Sequence, residues 1–185
     1  MKIVVYDLVS ENHKIVKELG LERKFRNLRI YCTRLLYSLG IPSTESVVIV
    51  SHNNYNRIEE VISQVKEKYE DFYYENNLNL PKPIIKQLEL TFEQGSVFLE
   101  VAKNRLLTTI DEQIDKLVSI YDSLQINGTR ENVDKLLRNM KRIRREWAKV
   151  KETCLELGIN VESQIDYLIN VCDDLIQHLQ TIRGV

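Results

Sequence analysis

The strongest chemical feature of this sequence is a run of positive charge in its second half. Residues 135–151 hold eight Lys or Arg residues against Glu146 alone, a net charge of +7. On a helix that buries its apolar seam, five of these cations take outward positions: Arg138, Lys141, Arg142, Arg145 and Lys149. A cationic stripe on a helix binds phosphates with strongly salt-dependent affinity. The pattern therefore predicts a nucleic-acid-binding surface.

The same stripe has a second interpretation, in which its cations pair with acids on neighbouring helices. The candidate acids are Asp111, Glu112, Asp115, Asp173 and Asp174. The formal net charge of the whole chain is -1, which favours this alternative, a solvated face with local ion pairs. No aromatic residues are interleaved with the outward cations, so the stripe offers no platform for stacking single-stranded bases.

A second candidate site begins at Asp7, at the end of the first predicted strand. Glu11 is close in sequence, and two carboxylates could hold a divalent cation. That arrangement, with Glu11 or with His52, would suit a metal-dependent nuclease or phosphodiesterase. Asp at a strand end is also a common turn former, and His52 stands in a polar stretch typical of a turn.

The remaining chemistry-bearing residues predict no cofactor and no small-molecule substrate. The glycines are dispersed, so no phosphate-cradling loop is present. Cys32, Cys154 and Cys172 lack the CxxC spacing of zinc sites and are interpreted as small core residues. No stretch approaches 18 apolar residues and the start lacks a secretory h-region, which predicts a cytoplasmic protein without a membrane span. Asn127-Gly128-Thr129 is then interpreted as helix punctuation, with Gly128 closing one helix and Thr129 capping the next.

The elements that position these residues fall into two parts. Apolar runs at residues 3–8 and 47–50 predict buried strands, each followed by an amphipathic helix, and residues 71–75 are predicted as a third strand. The order β-α-β-α-β indicates parallel pairing or a ferredoxin-like variant that lacks one strand. This small α/β module is predicted at 1–76, with a boundary at 76–83, where three Asn and two Pro fall within the eight residues 76–83.

Beyond the boundary, residues 84–185 are predicted as an elongated antiparallel three-helix bundle. Apolar residues from Leu88 through Phe92 to Leu124 follow one helical seam, interrupted by Gly95. A second seam fills eight successive heptad positions from Val133 to Leu157, and a third runs from Val161 to Ile182. A helix spanning 129–157 would be about 43 Å long.

The order of the N-terminal elements resembles a known small α/β module. The resemblance rests on three segments: IVVYDL at residues 3–8, the helix containing residues 29–36 and ending at Gly40, and SVVIV at 46–50. This arrangement is similar to the N-terminal region of the chromate-resistance regulator ChrB, which also continues into a basic Leu/Arg-rich helix comparable to residues 136–145. More distantly it resembles the ferredoxin-like subunit of the CRISPR spacer-acquisition complex, where the residue matching Asp7 is linked to metal and nuclease activity.

Together these features predict a non-enzymatic regulatory or scaffolding protein. It is expected to self-associate or bind a protein partner, and to contact nucleic acid through the basic stripe. A metal-dependent nuclease that uses Asp7 is the alternative.

Overall fold

The computed structural model describes the backbone of residues 1–127 and 130–184, and within them the side chains of residues 1–122 and 133–182. The chain divides into two compact units, residues 1–101 and 102–185. None of the described helices is long and apolar enough to cross a membrane. Gly128 and Thr129, the predicted helix punctuation, lie outside the described residues.

The first unit is a mixed α+β fold. Its strands are β1 (Lys2–Asp7), β2 (Gly40–Thr44), β3 (Val47–Val50) and β4 (Ile84–Glu89), and its helices are α1 (Lys14–Glu18), α2 (Glu22–Tyr37) and α3 (Ile58–Glu75). A 3-10 helix, His52–Arg57, precedes α3. The first turns of α4 (Phe92–Asn127) complete the unit.

The four strands form one sheet in the order β2-β3-β1-β4, and every neighbouring pair is antiparallel. Apolar side chains of β1 and β3 pack on α2 and α3 in one core cluster, which includes Val4, Val48, Phe25 and Tyr69. Ile3, Ile41 and Ile49 are also buried but lie outside this cluster. This core forms because one face of each helix is apolar and the strands alternate their side chains between two faces.

Three features of this unit differ from the sequence-based prediction. Residues 71–75, predicted as a strand, are the end of α3. The sheet instead contains β2, which was not predicted, and β4, part of which was predicted as the start of the long helix. Neighbouring strands pair antiparallel, and β1 and β2, which α1 and α2 connect, run in the same direction but are separated by β3.

The predicted boundary at residues 76–83 is also displaced. Leu78 and Leu80 belong to the core of the first unit, and the Tyr73 hydroxyl donates a hydrogen bond of 2.9 Å to the Pro81 carbonyl. The segment therefore connects α3 to β4 within one unit, and the division falls between residues 101 and 102, inside α4.

The second unit contains the rest of α4 with α5 (Arg130–Leu157) and α6 (Glu162–Gly184). The seam predicted for α6 is buried except at Ile182, whereas that of α5 is buried at four of its eight positions and half-buried at Leu136, Trp147, Val150 and Leu157. The buried seam residues are Val133, Met140, Ile143, Cys154, Val161, Ile165, Leu168, Cys172, Leu175 and Leu179. Two ion pairs fix the direction of α6. Lys151 pairs with Asp166, and Arg144, about two turns earlier in α5, pairs with Asp173, about two turns later in α6, so the two helices are antiparallel.

Candidate nucleic-acid interface

The five predicted cations lie on the solvent side of α5. At 100° per residue, Arg138, Lys141, Arg142, Arg145 and Lys149 fall within about 100° of arc and about 16 Å of helix length. All five side chains are exposed. The apolar seam occupies the opposite side of the same helix, with Met140 and Ile143 buried. Burial of the seam is therefore what turns the cations outward.

Three of the cations in residues 135–151 form ion pairs with nearby acids. Arg144 lies 2.6 Å from Asp173, and the Lys151 ammonium donates to both carboxylate oxygens of Asp166 at 2.6 Å. Both acids stand on α6. Arg142 instead pairs with Glu146 on its own helix at 2.9 Å and donates to the Asn139 amide oxygen.

The other four predicted cations keep their positive charge available. Among the described side chains, Arg138, Lys141, Arg145 and Lys149 form no ion pair; the Arg145 Nε donates to the Lys141 backbone carbonyl at 3.2 Å. We name these four residues the basic face of α5. Of the acids that could have neutralised it, Glu112 pairs with Lys116 on α4, and Asp173 pairs with Arg144.

Two shallow grooves run beside the basic face. One, of about 450 Å³, is lined by Lys141, Arg144, Arg145, Asp173 and Ile176. The other, of about 350 Å³, is lined by Asp134, Leu137, Arg138 and Lys141. Lys141 belongs to both grooves, so a polyanion lying along α5 could contact cations on either side of it.

A larger groove lies between α4 and α5, on another side of the helix. It encloses about 840 Å³, and its charged lining is mixed: Glu112, Asp115, Lys116, Arg142 and Glu146. Arg142 therefore faces an environment that also contains carboxylates, which separates it from the basic face. Arg144, by contrast, lines a basic groove although it was not among the predicted site residues. Arg144 follows Lys141 by one helical turn, and this spacing could have identified it as a site residue from the sequence.

At the second candidate site, predicted around Asp7, the Glu11 carboxylate is already paired. Asp7 is exposed at the end of β1, opposite Ile84 of β4. Glu11, however, accepts a hydrogen bond of 2.6 Å from the Arg29 Nη1 and lies 3.5 Å from the Arg26 Nε. A hydrogen bond from its own backbone and the bond from Arg29 hold the pKa of Glu11 below its usual value. Because both carboxylate oxygens face arginines, Glu11 is not a free partner for Asp7.

His52 stands in the 3-10 helix that leads into α3, next to Tyr55, with ring centroids 5.1 Å apart. This is the polar turn that the sequence indicated. Within residues 1–127 and 130–184, no group of three or more His, Cys, Asp or Glu side chains could hold a metal ion.

The three cysteines are buried thiols, as predicted. Burial raises the pKa of Cys154 to about 12, and those of Cys32 and Cys172 to about 11. A pKa raised by about 2 units lowers the thiolate fraction at pH 8 by about 100-fold. We therefore expect a disulfide reagent such as DTNB at pH 8 to react with the native protein at least about 100-fold more slowly than with the urea-unfolded protein. One rapidly reacting thiol in the native protein would contradict this.

The same shifts predict a dependence of stability on pH. The folded state favours the neutral thiol, so this contribution is complete below the unfolded pKa of 9.0 and is lost as pH rises toward the folded values of about 11 to 12. We expect the urea midpoint to be lower at pH 10.5 than at pH 8. Replacing the three cysteines with alanine should flatten that part of the profile.

No protein-family profile, curated protein or solved structure matches the chain. The geometry of the basic face is therefore the main guide to function, and the resemblance to ChrB stays a prediction.

Proposed function

We propose that this chain is a non-enzymatic regulatory or scaffolding protein that binds nucleic acid through the basic face of α5. One observation carries the proposal. Four exposed cations share one side of a helix and have no acidic partner among the described side chains, although the whole chain is close to neutral. Such segregation of charge favours an anionic ligand over a purely solvated surface.

The dimensions of the basic face suit a phosphate backbone. It extends for about 16 Å along α5, and one strand of a duplex carries about one phosphate per 3.4 Å of axis, or about five over that length. Contacts of this kind position a protein on a duplex without reading its sequence. The expected binding is hence sequence-tolerant, and strongly weakened by salt.

The proposal includes a finer assignment of the fold. We infer a ferredoxin-like topology for the first unit, because its elements follow the order β-α-β-β-α-β when α1 and α2 are taken as one connection, and its strands the antiparallel order β4-β1-β3-β2. We also infer an antiparallel three-helix bundle for the second unit, since the rings of Tyr121 on α4 and His178 on α6 lie 5.0 Å apart. Self-association and a cytoplasmic location remain part of this proposal.

Charge reversal on the basic face tests the function. We expect Arg138→Glu, Lys141→Glu, Arg145→Glu and Lys149→Glu together to abolish gel shifts of a 30-base-pair duplex, with little change in melting temperature, because all four side chains are exposed. Each phosphate contact contributes about 0.9 to the slope of log affinity against log salt, so four contacts contribute about 3.6. Titrations of the wild type at 50 and 150 mM salt measure this slope.

A matched pair of variants separates the basic face from overall charge. Arg138→Glu with Lys149→Glu changes the net charge by the same amount as Lys103→Glu with Lys116→Glu on α4. The first pair should lower the salt slope by about 1.8, and the second should leave it nearly unchanged. Equal effects of the two pairs, or no binding by the wild type at 50 mM salt, would contradict the proposed function.

A further inference from the structure

The outer face of α2 carries a second group of cations, in the first unit. Arg23, Lys24 and Arg34 are exposed, and among the described side chains they form no ion pair. Arg26 and Arg29 of the same helix both form ion pairs with Glu11, which neutralises them. The three unpaired cations extend over about 16 Å of helix length.

Two apolar side chains stand among these cations. Tyr31 is 49% exposed and Ile30 is 43% exposed. At 100° per residue, both share with the three cations one side of α2, about 120° wide. The core side of the helix is opposite, where Phe25 and Cys32 are fully buried. Packing of the core therefore does not account for an aromatic ring at position 31.

An exposed aromatic ring between cations is the arrangement that binds unstacked bases. Single-stranded nucleic acid combines phosphates, which attract cations, with bases that stack on aromatic rings. Paired bases in a duplex are stacked on each other and do not offer their faces to a side chain. The basic face of α5 has cations without such a ring, so the two helices differ in the ligand they suit.

We propose that the outer face of α2 binds single-stranded nucleic acid, with Tyr31 stacked on a base and Arg23, Lys24 and Arg34 in contact with phosphates. The site lies on a different unit from the basic face of α5 and does not depend on it. Asn27, also exposed on this side, adds a hydrogen-bonding group that can reach a base edge. Stacking of this kind tolerates any base, so the binding is expected to show little sequence preference.

Fluorescence anisotropy with a labelled 20-nucleotide oligo(dT) at 50 mM salt tests the site. The full chain is measured both as wild type and with the four α5 substitutions, so that loss of one surface is distinguishable from loss of the other. We expect Tyr31→Ala to weaken binding about tenfold, and Tyr31→Phe to bind like the wild type. Arg23→Glu with Arg34→Glu should lower the salt slope by about 1.4, at about 0.7 per phosphate contact on a single strand.

Tyr74→Ala is the matched control, because Tyr74 is 88% exposed on α3. It should leave affinity for oligo(dT) unchanged. Equal effects of Tyr31→Ala and Tyr74→Ala would overturn the proposal, as would absence of oligo(dT) binding at 50 mM salt. Two other results would overturn the proposal by showing that this face has a different ligand. One is binding to phosphatidylserine vesicles without binding to oligo(dT). The other is salt-sensitive self-association that Arg23→Glu with Arg34→Glu abolishes and that oligo(dT) does not inhibit.

Discussion

Replacing Gly40 with alanine is expected to lower the free energy of unfolding by about 3 kcal/mol. A Cβ atom at position 40 would lie 1.9 Å from the Ile49 carbonyl oxygen and 3.0 Å from the Ser51 amide nitrogen. Both are backbone atoms of the neighbouring chain segment, so neither can move aside as the end of a flexible side chain can. The first pair of the β2–β3 ladder, Gly40 with Val50, would have to separate.

Urea denaturation followed by far-UV circular dichroism measures this loss, and Gly20→Ala is its control. Gly20 has a φ of 64° with nothing within 4 Å of an added Cβ, so alanine there meets only backbone strain. That strain costs about 1 to 2 kcal/mol. A Gly40→Ala variant as stable as Gly20→Ala would show that the strands separate at little cost. Amide hydrogen exchange should localise the damage to β2 and β3.

The Phe25→Ala variant is expected to be destabilised by about 3 to 5 kcal/mol. Phe25 is fully buried, and its ring centroid lies 5.4 Å from Phe72, 6.0 Å from Tyr69 and 6.4 Å from Tyr73. Removing the ring leaves a cavity between α2 and α3 and also removes edge-to-face contacts, each of which contributes about 0.5 to 1.5 kcal/mol. The expected loss is a large share of the stability of a small unit.

Equilibrium unfolding in urea, with near-UV circular dichroism to follow the tyrosines, measures the effect of Phe25→Ala. Phe92→Ala is the control, because Phe92 is 89% exposed and its loss opens no cavity. We expect the control to stay within about 0.5 kcal/mol of the wild type. Equal stability of the two variants would mean that the aromatic cluster is not the centre of the core.

Periodicity alone determined the elements whose burial is one-sided and continuous. The seams of α5 and α6 repeat over several heptads, and Met140, Cys154, Ile165 and Cys172 are buried as that pattern requires. β1 and β3 were also evident, because short runs of Val and Ile are typical of buried strands. In each case the local sequence and the tertiary environment favour the same structure.

Strand pairing decided the elements that the sequence did not determine. Residues 71–75 combine aromatic residues typical of strands, yet they continue α3, and Tyr73 faces the aromatic core from that helix. β4 exposes every residue except Ile85, and its identity as a strand comes from its ladder with β1. β2 contains Gly and Pro and becomes a strand only by pairing with β3. Propensity is too weak to specify an edge strand, because cross-strand contacts supply most of its stability.

The candidate site shows the same division. The sequence determined the excess of positive charge in residues 135–151 and, through the heptad pattern, the side of the helix on which Arg138, Arg145 and Lys149 lie. The i,i+4 spacing also specifies the pair of Arg142 with Glu146. Only the tertiary structure decided which cations pair with acids on another helix. The antiparallel packing of α6 brings Asp166 to Lys151 and Asp173 to Arg144, and leaves the basic face without such partners among the described side chains. The physical reason is that an ion pair needs its partners within about 4 Å, a distance that packing sets and that spacing along one helix cannot specify for a second.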